Sequence, residues 1–197
     1  MTDSVRRWYE RELGWPTTGS APVELLTGVR FDVLELPADA GCAVLRRVPR
    51  TGPVAVEGRR MRLLVAAGGA DELPGLLAWL EWGGIPLDLT ALGSGGRMLA
   101  PDPPGARGRR SQGAAFWLRP PEPGCDVEPT LPTPCLRQGW REGVGGDGGA
   151  PDLVRLVGVA ATECHRARLL GAQRRQALAF SYASRTVAGT RPRSLTS

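Results

Sequence analysis

The stretch FDVLELPADAG, residues 31–41, decides the fold because it passes directly from the pattern of a strand to that of a helix. Apolar and polar side chains alternate over residues 29–36, and this two-residue period predicts a half-buried strand. Residues 38–48 predict the next helix, which Pro49 ends. A strand joined directly to a helix indicates an α/β or an α+β fold.

Helix and strand patterns continue on both sides of this stretch. A short amphipathic helix is predicted for residues 3–13, and a leucine-rich one for residues 71–82. Gly58 marks a predicted turn between two strands. The predicted strands are residues 54–56, 61–67, 87–92, 97–100 and 115–119. Because these strands are short and irregular, they do not indicate a doubly wound sheet, and we predict an α+β fold (α/β two-layer).

The sequence also predicts how the chain divides into segments. Residues 1–120 hold the predicted strands and are expected to form the main domain. Residues 121–151 are dominated by Pro and Gly without a sustained period, which predicts a linker or a long mobile loop. A C-terminal helix with Asp152 at its N-cap is predicted for residues 152–183, and a disordered basic tail for residues 184–197.

Every cationic side chain of the protein is arginine, because the sequence contains no lysine. This usage is typical of a high-GC bacterium, so the arginines alone are weak evidence for nucleic-acid binding. Their placement is more informative: residues 164–197 carry 7 Arg and no carboxylate, whereas residues 1–163 carry 18 Arg and 20 carboxylates. A terminal cationic segment gains affinity for phosphate by counterion release. The alternative is a solvated basic end of an arginine-biased chain.

The composition disfavours several classes of protein. No apolar run approaches the ~20 residues that span a bilayer, and no signal-peptide segment is present, so a cytoplasmic protein without membrane contact is expected. Four dispersed cysteines and a single histidine argue against a zinc site or a disulfide scaffold. A P-loop is excluded because its lysine is missing. Cys164 and His165 would lie about 100° apart on a helix, which is poor geometry for a nucleophile and its base.

Carboxylates are the ligands of a two-metal site for phosphoryl transfer, which needs them on adjacent strands around ions about 3.5–4 Å apart. Asp32 and Glu35 have odd spacing on one predicted strand, so their side chains are expected to face opposite sides. Asp88 lies on a later predicted strand and is a third candidate. Because no DxD or DxE pair aims two carboxylates at one face, no metal site is expected.

Four segments in order carry a resemblance to a known family: a Trp/Tyr-bearing helix ending in GWP at residues 14–16, FDVLELPADAG, GRRMRLLVAAG and GSGGRMLAPDPPG. This order resembles the Prim-Pol domain, the bifunctional DNA primase/polymerase N-terminal family of the archaeo-eukaryotic primase superfamily. The likeness covers about residues 5–120. It implies a small mixed sheet of the primase/RRM-like type with flanking helices, followed here by the C-terminal helix.

The family's catalytic positions transfer only in part. Its strand carboxylate pair corresponds to Glu35 and Pro37, so one ligand is kept as a carboxylate and the second is lost. Its active-site histidine corresponds to Met61, which cannot transfer a proton or hold a triphosphate. Its upstream aspartate corresponds best to Asp88. The resemblance therefore implies a residual pair, Glu35 and Asp88, in a degenerate catalytic site.

The glycine-rich segment suggests where phosphate would bind. Gly95 and Gly96 correspond to the family's Gly pair, and Arg97 stands where the family has an aromatic residue. Backbone N–H groups of such a turn can contact phosphate. Arg59 and Arg97 are the candidate phosphate-binding side chains, because Arg60 and Arg62 would point away from Met61 on the strand.

These residues lead to a first hypothesis and two alternatives. The first is a Prim-Pol-like protein with a degenerate site that binds a nucleotide or DNA, or regulates, without a cofactor. One alternative is an active nucleotidyltransferase in which Glu35, Asp88 and Asp32 hold Mg²⁺ or Mn²⁺. The other is a protein-interaction module that uses residues 73–82 and the C-terminal helix. Trp79 and Trp82 are expected to be buried in the core of the protein rather than to act as interface anchors.

Overall fold

The computed structural model describes residues 2–105, 114–134 and 152–187. The helices are α1 (Thr2–Glu12), α2 (Ala38–Arg47), α3 (Gly69–Trp79), a 3-10 turn (Glu128–Thr130) and α4 (Leu153–Val187). The strands are β1 (Thr17–Thr18), β2 (Glu24–Leu26), β3 (Asp32–Pro37), β4 (Val54–Glu57), β5 (Arg60–Val65), β6 (Thr90–Leu92), β7 (Arg97–Leu99) and β8 (Phe116–Arg119). Each helix and strand predicted above is present, with its ends shifted by a few residues, and the α+β two-layer class is confirmed.

The central sheet has five strands in the order β6-β3-β5-β4-β8. Its first four strands and two helices follow one another along the chain as β3-α2-β4-β5-α3-β6, the βαββαβ motif of ferredoxin-like and RRM-like folds. All pairings between named strands are antiparallel, and in the described part of the chain parallel pairing is limited to the isolated bridges Asp102–Phe116 and Thr133–Asp152. The sheet is therefore of the predicted RRM-like type, and it is antiparallel where a mixed sheet was predicted.

One face of the five-stranded sheet is covered by α2, α3 and α4. Leu34 and Leu36 of β3 project into this layer because a strand sends alternate side chains to one face. They share a core with Val157 and Ala160 of α4, and α4 also contacts α2, α3 and β3. The C-terminal helix, predicted as a segment beyond the main domain, is thus part of the domain's core.

The opposite face of the sheet is partly covered by α1 and by a second sheet with the order β1-β2-β7. Trp15 is the centre of this core, with its ring 4.6 Å from that of Phe31 and 6.1 Å from that of Tyr9. The Tyr9 hydroxyl donates a hydrogen bond to the Pro101 carbonyl at 2.6 Å and accepts one from Trp117 Nε1 at 2.9 Å. Burial raises the pKa of Tyr9 far above its ordinary value, so the phenol stays protonated.

The first part of the predicted linker belongs to the domain. Val127 and Leu131 are buried in the core on the α1 side of the sheet, and Leu131 lies against Gly52. The linker prediction is therefore wrong for this part, while residues 135–151 lie outside the described residues. The predicted tail begins too early, since α4 continues to Val187, and residues 188–197 lie outside the description.

Candidate functional site

The candidate site lies on the sheet face that points away from the three helices. Glu35 of β3 pairs across the sheet with Arg62 of β5, and Pro37 pairs with Arg60. Directly paired residues of adjacent strands project from the same face. Glu57, opposite Arg60 on β4, joins them there. The two central strands of the βαββαβ motif therefore present arginine and glutamate side chains together.

Close ion pairs join these side chains into one cluster. Arg60 Nε donates to Glu35 Oε1 at 3.0 Å, and Arg60 Nη1 donates to Asp88 Oδ1 at 2.6 Å. Arg62 Nε donates to the second oxygen, Glu35 Oε2, at 2.8 Å, and its Nη1 pairs with Glu57. We call Glu35, Glu57, Arg60, Arg62 and Asp88 the arginine–carboxylate cluster. In this cluster the two predicted residual carboxylates, Glu35 and Asp88, both accept hydrogen bonds from the guanidinium of Arg60.

The electrostatics of the cluster hold Arg60 firmly in its charged form. Partial burial by itself lowers the pKa of Arg60, but the hydrogen bond and the charge of Asp88, followed by those of Glu35, outweigh it and raise the pKa. Arg60, Arg62 and Glu35 are each less than one third exposed, so solvent screens their contacts less than it screens surface pairs. The carboxylate oxygens that a metal ion would need therefore already accept charge-assisted hydrogen bonds.

Met61, the position that corresponds to the family's histidine, does not face this cluster. It pairs with Leu36 and lies in the core beneath α2, only 1 % exposed. A Cβ placed on Gly41 of α2 would come within 2.3 Å of the Met61 sulfur, so helix and strand are in direct contact there. Met61 and Glu35 therefore lie on opposite faces of the sheet, because Met61 pairs with Leu36, the neighbour of Glu35 on β3. The family's histidine and carboxylate positions, carried over by the resemblance, do not meet in one site here.

The two predicted phosphate-binding arginines lie in different sheets. Arg59 is exposed in the turn between β4 and β5, where its carbonyl accepts a hydrogen bond from the Ala38 amide. Arg97 is exposed on β7 of the small sheet and lies 3.6 Å from Glu24. Within the described ranges no contact joins Arg59 to Arg97. The structure therefore does not show them as one phosphate clamp.

Gly95 and Gly96 form the turn between β6 and β7. The Gly96 amide donates to the Gly93 carbonyl at 3.0 Å, and the Gly96 carbonyl accepts from the Thr27 amide at 3.0 Å. A Cβ on Gly96 would lie 2.6 Å from the Thr27 hydroxyl oxygen, so glycine is required there for packing. Gly95 has a positive φ of 76°, which glycine adopts readily. Turn geometry accounts for this glycine pair.

Asp32 faces the helix layer, on the side opposite Glu35, as the odd spacing predicted. Its side chain is buried, and Oδ2 accepts a hydrogen bond from the Ala70 amide in the first turn of α3 at 2.9 Å. A carboxylate in that position stabilises a helix N-terminus. Asp32 is thus separated by the sheet from Glu35, and the predicted alternative site of Asp32, Glu35 and Asp88 does not form.

Cys164 and His165 point to different neighbours on α4. The Cys164 thiol lies 3.5 Å from the Asp88 carbonyl, and burial raises the pKa of this thiol to about 12. The His165 ring instead lies 5.7 Å from that of Trp82. The thiol is therefore protonated at neutral pH and receives no help from the imidazole.

Two features of the surface were missed in the sequence. Arg60 was set aside because it faces away from Met61, yet it links both candidate carboxylates. Trp79 was predicted to be a core residue, but it is 72 % exposed at the end of α3. The alternation of β5 puts Arg60 and Arg62 on one face, but only the register of the paired strands brings Arg60 beside Glu35. Nothing in the spacing of α3 distinguishes a buried tryptophan from an exposed one.

Across residues 2–105, 114–134 and 152–187, no group of three or more His, Cys, Asp and Glu side chains is arranged to hold a metal ion. Within the same part of the chain, no helix has both the length and the apolar character needed to cross a membrane. No protein-family model matches the sequence, and comparison with curated proteins and with solved structures found no match. The function is therefore inferred from the chain's own residues.

Proposed function

We propose that this protein is a catalytically silent, Prim-Pol-like module that binds nucleic acid through the arginines of α4. The βαββαβ order of the central sheet supports a fold of the primase/RRM-like type. The arginine–carboxylate cluster lies on the sheet face opposite α4, so it supports the loss of the catalytic site rather than the contact with nucleic acid. Both lines of support are compatible with a polymerase-related scaffold that no longer turns over.

The proposal that the site is silent rests on the partners of the carboxylates. Glu35 uses both oxygens to accept hydrogen bonds from Arg60 and Arg62, and Asp88 Oδ1 accepts one from Arg60. Metal-dependent phosphoryl transfer needs such oxygens free to hold the ions that neutralise the developing charge. A divalent ion bound to these carboxylates would also lie close to the guanidiniums of Arg60 and Arg62, and the positive charges would repel one another. An active nucleotidyltransferase with Mg²⁺ or Mn²⁺ thus remains the weaker proposal.

The observation that carries the binding proposal is the course of α4. The helix has 35 residues, which corresponds to a length of about 50 Å. Its first turns are core, whereas residues 168–170 and 172–174 are exposed. The chain from residue 164 onward contains 7 Arg and no carboxylate. A long helix that exposes Arg166, Arg168 and Arg174 can align guanidiniums with a phosphate backbone.

A salt titration of DNA binding tests this proposal. We expect the affinity for a generic duplex or single strand to fall as salt rises, and Arg174→Gln/Arg175→Gln to reduce the slope of log K against log salt by about 2. The matched control is Arg7→Gln/Arg11→Gln, which removes the same charge from exposed positions of α1, where acidic residues balance the arginines. Fluorescence anisotropy with a labelled oligonucleotide measures both.

Two results would contradict the proposal. One is binding that does not respond to salt. The other is an equal loss of affinity in the α4 double variant and in the α1 control, because the contact would then depend on overall charge rather than on α4.

The cysteines of the described segments, Cys42, Cys125 and Cys164, are free, which supports the proposal that the module works in the reducing cytoplasm.

A further inference from the structure

A second surface, which is apolar, lies where α3 and the loop after it meet α4. Trp79 ends α3 with 72 % of its surface exposed, Ile85 in the following loop is 36 % exposed, and Leu169 of α4 is 52 % exposed. Trp82 lies between them in the chain and is partly exposed. We call these four residues the α3–α4 apolar patch.

Direct contacts hold the two sides of the patch together. The ring of Trp82 lies 5.7 Å from that of His165, and Leu169 follows His165 by one helical turn on the same side of α4. The Ile85 amide donates to the Trp82 carbonyl at 2.9 Å. Next to it, Arg168 Nη1 donates to the Pro86 carbonyl at 2.7 Å. The loop after α3 is therefore joined to α4 by direct contacts, and Trp79 precedes Trp82 in the chain by three residues.

The exposure of these side chains is unusual for a surface without a function. Large apolar residues scattered singly are ordinary, but a grouped set with a tryptophan marks an interaction site. Tryptophan is enriched among the residues that supply most of the binding energy of protein interfaces. The aliphatic side chains of Ile85 and Leu169 cannot stack on bases as aromatic rings do, so the patch favours a protein over a nucleic acid.

The charges around the patch select the kind of partner. Arg166 and Arg168 flank Leu169, and Arg174 lies one turn and a half further along α4. Two exposed carboxylates, Glu81 and Asp88, lie in the loop after α3, and Asp88 is paired with Arg60. Glu163 is buried and paired with Arg47 and Arg166. Arg166 and Arg168 make the α4 side of the patch cationic, which favours a partner with acidic side chains at that position.

We propose that the α3–α4 apolar patch binds an acidic amphipathic helix of a partner protein. The apolar stripe of such a helix covers Trp79, Ile85 and Leu169, and its acidic flanks pair with Arg166 and Arg168. This is the helix-in-groove mode of recognition, in which apolar anchors at three- and four-residue spacing give affinity and flanking charges give orientation. The proposal shares Arg166 and Arg168 with the proposed nucleic-acid surface, but its apolar anchors Trp79, Ile85 and Leu169 are separate from it, so the two proposals are tested by different variants.

The test uses the full chain and a synthetic helical peptide with leucines at helical spacing and glutamates on its other faces. A scrambled peptide of identical composition is the control for charge. We expect the helical peptide to bind, and Trp79→Ala to weaken binding by about tenfold or more. Leu169→Ala is expected to weaken it as well. Leu118→Ala is the matched control, because Leu118 is 49 % exposed on β8, the edge strand farthest from β6.

Several results would overturn the proposal. They are no binding of the helical peptide up to about 1 mM, equal binding of the scrambled peptide, or a Trp79→Ala variant that binds like the unmodified chain. A dimer that Trp79→Ala dissolves would show that a second copy covers the patch. DNA binding that Trp79→Ala abolishes would assign the patch to nucleic acid. The Arg174→Gln/Arg175→Gln variant separates the two proposals, since it is expected to lose DNA affinity and to keep peptide binding.

Discussion

Replacement of Trp15 by alanine is expected to lower the free energy of unfolding by about 3–5 kcal/mol. Trp15 is 1 % exposed and packs between Tyr9 and Phe31, with its ring also 6.3 Å from that of Trp117. These rings join α1 and the small sheet to the central sheet. Removing the indole leaves a cavity that rigid neighbours cannot fill, so both transfer energy and packing are lost. Urea denaturation followed by circular dichroism measures the change.

The matched control is Trp79→Ala, which makes the same chemical change at a site that is 72 % exposed. Its expected effect on stability is within about 0.5 kcal/mol, as for most surface substitutions. Similar losses for both variants would contradict the structure, because they would mean that Trp79 is buried or that Trp15 is not. The pair therefore checks the packing of α1 and the exposure of the proposed docking surface together.

Replacement of Met61 by histidine is expected to lower the free energy of unfolding by about 2–4 kcal/mol and to restore no nucleotide transfer. Met61 is 1 % exposed and packs against Gly41 of α2, on the face of the sheet opposite Glu35. An imidazole there loses the packing of the thioether and places polar nitrogens in an apolar core. Denaturant unfolding measures the loss of stability, and a nucleotide-incorporation assay measures activity.

Met61→Leu is the control for this change, because it nearly conserves volume and is expected to cost less than about 1.5 kcal/mol. A Met61→His variant as stable as the unmodified chain would contradict the position given to Met61. So would a gain of metal-dependent activity, since a histidine in the helix-side core cannot reach a substrate on the other face.

Local patterns predicted those elements whose partners are close in the sequence. The alternation around Glu35 predicted β3, and the alternation from Met61 onward predicted β5. It also predicted that Arg60 and Arg62 both face away from Met61. Two-residue periods determine which face a side chain takes, so the opposite sides of Asp32 and Glu35 followed as well. The same rule, applied to Met61 and Glu35 across the paired strands, would have separated them, but the register of β3 and β5 is not visible in a single sequence.

Features that depend on distant contacts could not be predicted. Val127 and Leu131 are isolated apolar residues in a Pro- and Gly-rich stretch, and their burial depends on a cavity that other segments create. Arg60 meets Asp88 only because the chain returns beside β3 as β6. The exposure of Trp79 likewise depends on how α4 packs beside α3, since both faces of α3 carry apolar residues. Sequence periodicity does not predict these contacts, because they form between segments that are distant in the chain.

The most direct test of the central claim is nucleotide incorporation by the full chain on a primed template, with Mg²⁺ and with Mn²⁺. The claim is that Glu35 and Asp88 are held by arginines and coordinate no catalytic metal. We predict that the unmodified protein incorporates no more labelled nucleotide than its Asp88→Ala variant does. Template-dependent incorporation by the unmodified protein that Asp88→Ala abolishes would contradict it.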